Sequence, residues 1–108
     1  MSEEKMVAIV QRLLDRTQHG QVDWTESELA LSDYAAHYPN YSVTLEYDED
    51  AEEYTMNVFD TDGESVDSLT ADVSDYYYPM LKQLYDIAER ISEAGSDENL
   101  DELLGEIG

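Results

Sequence analysis

Two stretches of strict alternation, YSVTLEY at 41–47 and YTMNVF at 54–59, most limit what this chain can fold into. A strand turns successive side chains to opposite faces. Tyr41, Val43, Leu45 and Tyr47 therefore share one face, and Ser42, Thr44 and Glu46 the other. Tyr54, Met56 and Val58 repeat the pattern. The intervening DEDAEE is too polar to extend either strand and reads as a hairpin loop. Asp60-Thr61-Asp62-Gly63 reads as the next turn, with Gly63 where a positive φ is required. A weaker strand follows at 64–69, and 33–37 reads as extended up to the Pro39-Asn40 turn. The segment TESELALS at 25–32 fits either a loop or a single helical turn.

Helical periodicity flanks this meander. Met6, Ile9, Val10, Leu13 and Thr17 recur at three- and four-residue spacing and predict a helix over 3–19. Ser2 is the expected N-cap and Gly20 the left-handed stop, after which Val22 and Trp24 alternate with polar residues. Tyr77, Met80, Leu81, Leu84, Tyr85, Ala88 and Ile91 predict a second helix over 75–94, with Ser74 as cap and Pro79 near its first turn. Gly95 is expected to end it, and Ser96 to cap a short helix over 97–106 carrying Leu100, Leu103, Leu104 and Ile107. The expected fold is α+β in one domain: a three- to four-stranded antiparallel meander with an N-terminal helix and one long plus one short C-terminal helix on its apolar face. Leu13, Leu14, Trp24, Val43, Leu45, Met56, Val58, Leu81, Leu84 and Ala88 form the expected core, and the polar face of the sheet is expected to meet solvent.

Charge restricts partners more than it restricts fold. The 108 residues carry 27 Asp and Glu against five Lys and Arg, a net charge of −22. Direct binding to nucleic acid or to an anionic membrane is excluded on these grounds. With no cysteine there is neither a disulfide framework nor a thiolate metal site. The opening MSEEKMVAIVQRLLDR is interrupted by charges, so it reads as neither signal peptide nor anchor, and a cytoplasmic protein is expected.

The residues Leu13, Leu14, Thr17, Gly20 and Trp24, then Asp60 and Gly63, then Leu81, Leu84, Tyr85 and Ala88 form a recurring arrangement. It resembles a widespread, largely uncharacterised family of small microbial proteins with a Leu-Leu-x-x-Thr-x-x-Gly-x-x-x-Trp helix end. Glu89 and Arg90 stand where that family tends to place a polar pair. The resemblance implies a helix–sheet–helix fold and a role through interaction rather than catalysis. The acidity and the length of the 25–40 segment depart from the pattern.

No catalytic motif appears. There is no nucleophile elbow, zinc-protease helix, phosphate loop or dinucleotide turn. His19 falls in the last turn of the first helix, where an imidazole complements the dipole, and His37 lacks a partner at metal-ligand spacing. The sequence is read as non-enzymatic, with no cofactor. DTDGESVD resembles half of a calcium-binding helix–loop–helix loop. Placing Gly63 at its glycine, however, puts Val58 and Leu69 where ligands belong. Only nonspecific cation binding is expected.

Three readings of the carboxylates remain. Residues 41–72 hold eleven acids and no base, whereas residues 1–20 hold three of each. Such directional acidity suits a nucleic-acid mimic that inhibits a DNA-binding or defence protein. Acids at nearly every polar position, with only two lysines, equally suit a protein of a halophilic microbe, where screening shrinks to about 3 Å at 1 M salt. A cation-binding module is the weaker third reading. The leading expectation is a salt-adapted, non-enzymatic interaction or regulatory module with a protein partner or self-association. Its candidate acidic surface is Asp48, Glu49, Asp50, Glu52, Glu53, Asp60, Asp62 and Glu64. Its candidate interface aromatics are Tyr76 and Tyr78.

Overall fold

The structure, a computed structural model, describes residues 3–27 and 32–107, and of 94–103 it describes the backbone. Helix α1 (Glu3–Gln18) leads into β1 (Thr25–Glu26), β2 (Tyr34–His37), β3 (Tyr41–Asp48), β4 (Glu53–Asp60), β5 (Ser65–Ala71) and helix α2 (Tyr78–Ile107). The strands form one antiparallel sheet in chain order, β1-β2-β3-β4-β5. The architecture is therefore α+β, with both helices against one face of a five-stranded meander.

Alternation decides which face is covered. Val43, Leu45, Tyr54, Met56, Val58, Leu69 and Ala71 are buried against Met6, Val7, Val10 and Leu13 of α1 and Leu81, Leu84 and Ala88 of α2. Leu14 is only half-buried, lying at the edge of that stripe, and Val7 takes the inner position instead. Helix α1 ends in a left-handed glycine. Gly20 has φ 69°, its N–H donates to Thr17 O, and the Gln21 N–H reaches back to Arg16 O. This pairing of two orphan carbonyls stops the helix and turns the chain so that Val22 and Trp24 enter the core. The predicted cap Ser2 lies outside the described residues.

Three expectations are corrected. The sheet has five strands rather than three or four, because Thr25 and Glu26 pair with Ala35 and Tyr34. Those two residues show no alternation of their own and are held by the ladder of β2. The last strand runs to Ala71, since Leu69 and Ala71 both point into the core opposite Met56 and Tyr54. Finally, the helices expected at 75–94 and 97–106 are one, Tyr78–Ile107, which passes through Gly95. A single glycine costs a helix only about 1 kcal/mol, which its Ala-, Glu- and Leu-rich neighbours offset.

The same helix begins three residues later than expected because Asp72 and Asp75 build the turn before it. Asp72 accepts from the N–H and hydroxyl of Ser74, and Asp75 accepts from the Asp72 N–H at 2.9 Å. Ser74 is thus committed to Asp72 rather than capping. Pro79 falls in the first turn of α2, where no N–H is needed.

The uncovered face is less open than its polar pattern predicts. Ala35 and Thr44, opposite one another on β2 and β3, are both buried on it. The Asn57 side-chain amide donates to the Thr44 hydroxyl at 3.5 Å, and the hydroxyls of Thr55 and Thr70 meet at 2.9 Å.

Candidate functional site

The eight candidate acids do not form one surface. Asp48, Glu49, Asp50, Glu52 and Glu53 surround the β3–β4 turn, whereas Asp60, Asp62 and Glu64 surround the β4–β5 turn. Those turns lie at opposite ends of eight-residue β4, about 23 Å apart at 3.3 Å per residue. Two of the eight are held in local turn contacts. One carboxylate oxygen of Asp60 accepts the N–H groups of Asp62 and Glu64 at 2.9 and 3.0 Å, and one of Asp48 accepts those of Asp50 and Ala51. Each is an Asx turn that orders its loop. Gly63 takes φ 79° there, and Glu52 bears a positive φ of 55° in the other turn. Among the described residues, no three His, Asp or Glu side chains converge as a metal site.

The tyrosines divide by location. Tyr34, Tyr47, Tyr54, Tyr78 and Tyr85 form one cluster at the β3–β4 end, with ring centroids 4.6 to 6.2 Å apart. Tyr78, expected at an interface, is half-buried and stands edge-on to Tyr54. Its neighbour Tyr76 is 68% exposed. Asp33 fastens this end, one oxygen accepting both the Tyr47 N–H and the Tyr85 hydroxyl. Burial and then that hydrogen bond raise the Tyr85 phenol above its ordinary range. Tyr77 is buried apart from that cluster, its ring edge-on to Tyr76 at 5.1 Å and its hydroxyl donating to Glu3 and to Thr70 O, and burial with the nearby Asp75 and Glu3 pushes its phenol up to about 12.

At the other end the exposed aromatics are Tyr38 and Tyr41, 45% and 52% exposed; alternation had put Tyr41 on the apolar face with Val43 and Leu45, but at the strand's first position it stays open to solvent. They bracket Pro39-Asn40 in the β2–β3 turn, and the Tyr38 N–H donates to Tyr41 O at 2.8 Å. Two concavities meet at this pair. One, of about 630 Å³, lies on the uncovered sheet face beside His37, Ser42, Thr44 and Phe59. The other, of about 560 Å³, lies between α1 and the sheet, walled by Ile9, Leu13, Val43 and Val58 and rimmed by Arg12 and Arg16. No protein family, curated protein or solved structure matches the chain. What the site can do therefore rests on its own chemistry.

That chemistry differs between the two concavities. On the sheet face, the Ser42 hydroxyl lies 3.0 Å from His37 Nδ1, directly across the β2–β3 ladder. An imidazole beside a hydroxyl is half of a nucleophilic pair, but the base must also be oriented through its other nitrogen. Among the described residues, nothing hydrogen-bonds His37 Nε2. On the helix side, the groove is apolar with a cationic rim. The Arg16 guanidinium donates to the Gln21 side-chain carbonyl at 3.0 Å. Among the described residues, no carboxylate pairs with either Arg12 or Arg16, in a chain of 27 acids. The sequence carried a signal for the rim alone: Arg12 and Arg16 are two of only three arginines and stand one helical turn apart. His19, in contrast, bonds the Asp15 carbonyl at 2.7 Å and stays near its own helix end.

Proposed function

We propose that this protein is a non-enzymatic interaction module that engages a protein partner through the end of the sheet bearing Tyr38 and Tyr41. The observation that carries this reading is the meeting of two exposed tyrosines with an apolar groove rimmed by two arginines that pair with no carboxylate among the described residues. Tyrosine and arginine supply most interface hot spots, because each covers apolar surface while keeping a polar group for directional bonds. The resemblance to a largely uncharacterised family of small microbial proteins implies such a role. The remaining acids serve to keep the molecule hydrated and soluble at high salt, the environment of a halophilic cytoplasm.

The nucleic-acid-mimic alternative calls for a continuous row of carboxylates matched to a basic groove. The division of the candidate acids between two ends about 23 Å apart favours the tyrosine end instead. Affinity capture from a lysate at matched salt separates the two. Wild type is compared with Tyr38→Ser/Tyr41→Ser and with Asp48→Asn/Glu49→Gln/Asp50→Asn. The interaction reading expects the tyrosine variant to lose the partner and the neutralised loop to keep it. The opposite pattern, with capture competed by duplex DNA, would falsify it in favour of mimicry.

A further inference from the structure

The arginine-rimmed groove has a complement on the same chain. Helix α2 has 30 residues, about 45 Å at 1.5 Å per residue, and the molecule measures 53 × 31 × 28 Å. Among the described side chains of the helix, the buried ones run from Leu81 to Ser92, and the helix then continues to Ile107. At its end Leu104 and Ile107 are 66% and 74% exposed and stand three residues apart, hence on one face, with the exposed Glu106 between them. The last twelve residues carry five acids and no base. An acidic helix end with Leu104 and Ile107 exposed is what an apolar groove would receive when it is edged by two guanidiniums that pair with no carboxylate among the described residues.

We propose that the groove beside Arg12 and Arg16 takes the C-terminal end of α2 from a second copy of the chain. The inference rests on the interaction reading above and names its partner. Leu104 and Ile107 would fill the space lined by Ile9, Leu13, Val43 and Val58, in the manner of an amphipathic helix in a hydrophobic groove. Glu106 would meet the guanidiniums, which pair with carboxylates through a planar fork and desolvate more readily than an ammonium. Each copy offers one groove and one helix end, so a two-fold pair satisfies both at once. Two chains of −22 repel over longer range than these contacts act. Association is therefore favoured where salt shortens that range, to about 3 Å at 1 M.

Light scattering coupled to gel filtration at about 1 M KCl tests the arrangement. Wild type is expected at twice its 12.3 kDa mass. Arg12→Glu/Arg16→Glu and Leu104→Ser/Ile107→Ser are each expected to weaken association at least about tenfold, the loss typical of an interface anchor. Both pairs of substitutions are at exposed or rim positions, and far-UV circular dichroism checks that each variant is folded. Mixing the two variants should give a heterodimer weaker than wild type but tighter than either variant alone, since one intact helix end meets one intact groove while the second contact is lost. A wild type that remains at 12.3 kDa, dimerisation untouched by either variant, or a mixture that associates no more tightly than either variant alone overturns the proposal. The interaction reading fails separately, if Tyr38→Ser/Tyr41→Ser captures the same partner as wild type.

Discussion

The indole N–H of Trp24 donates to the hydroxyl of Thr17 across 3.0 Å, and both side chains are buried. Seven residues separate them, and the Gly20 reversal between them is what brings them together. The bond lets the largest buried side chain enter the core without leaving its polar atom unpaired, and it ties the end of α1 to the segment leading to β1.

Thr17→Val keeps the shape of the side chain but removes the acceptor. The stranded indole N–H is expected to cost about 1–3 kcal/mol, read as a lower urea midpoint with an unchanged slope. Thr17→Ser, which restores the oxygen, should recover most of the loss. Equal destabilisation by both would show that the methyl, not the hydroxyl, matters at this position.

Asp60 carries the second expectation. Its carboxylate accepts two N–H groups of the β4–β5 turn, and its carbonyl accepts the Gly63 N–H. Asp60→Asn retains an acceptor oxygen and should be nearly neutral. Asp60→Ala should destabilise by about 1 kcal/mol, the net value of such a bond. Calcium should leave the urea midpoint of wild type where it was, because this carboxylate is engaged with the turn; a saturable upward shift would reinstate the cation-binding reading.

Those two turns show why some of the molecule could be read directly from the chain. Alternation at 41–47 and 54–59 and the Asp-x-x-Gly turn are local, so each residue's neighbours disclose its role. Asp33 is the opposite case. It joins Tyr47 and Tyr85, 14 and 52 residues away, and nothing near it in sequence marks it as a clasp. Strand β1 was hidden for the same reason, its two residues being ordered by a partner strand rather than by their own pattern. The groove between α1 and the sheet required knowing that Val43 and Val58 come to lie beneath Arg12 and Arg16. Charge counting had registered the arginines only as balancing the acids of the first helix. Gly95 misled because a helix stop and a tolerated helical glycine are identical in composition.

Stability should respond to alkaline pH through the buried phenols. Tyr77 is pushed up to about 12 and Tyr85 is raised from an ordinary value of 10.0. The folded chain thus holds these protons more tightly than the unfolded chain. Their contribution is complete below 10.0 and is lost as pH climbs through the folded-state values, toward about 12 for Tyr77. Urea midpoints should therefore be level up to 10.0 and fall above it, and the part of the tyrosinate absorbance that Tyr77→Phe removes should appear in step with unfolding. Tyr77→Phe should flatten part of that fall. A midpoint that rises in this window would contradict the burial of these hydroxyls.

Salt should act in the opposite sense to its effect on an ordinary ion-paired surface. The clearest side-chain ion pair among the described residues is Lys82–Asp86, at 3.1 Å and exposed, so added salt has little attraction to screen. It has much repulsion to screen, including Asp48 directly opposite Glu53 in the β3–β4 ladder. The thermal midpoint should climb with KCl, with structure lost well below about 1 M if the acidity is salt adaptation. A chain fully folded near 0.15 M, where the screening length is still about 8 Å, would argue that the carboxylates serve a partner instead.

Gly95 decides whether α2 acts as one rod. The helix runs through it from Tyr78 to Ile107. In a helix interior, Gly95→Ala should stabilise by about 0.5–1 kcal/mol, mainly by removing backbone freedom from the unfolded segment. Had the chain stopped there in a left-handed turn, the same change would destabilise, so the sign alone separates the two geometries. The readout is local to this end of α2: far-UV ellipticity and amide-exchange protection of residues 96–107 should both increase. A stiffer end presents Leu104 and Ile107 with less ordering left to pay on contact. Gly95→Ala should thus also tighten self-association at high salt, and an unchanged or weaker dimer alongside higher helicity would separate the rod from the interface.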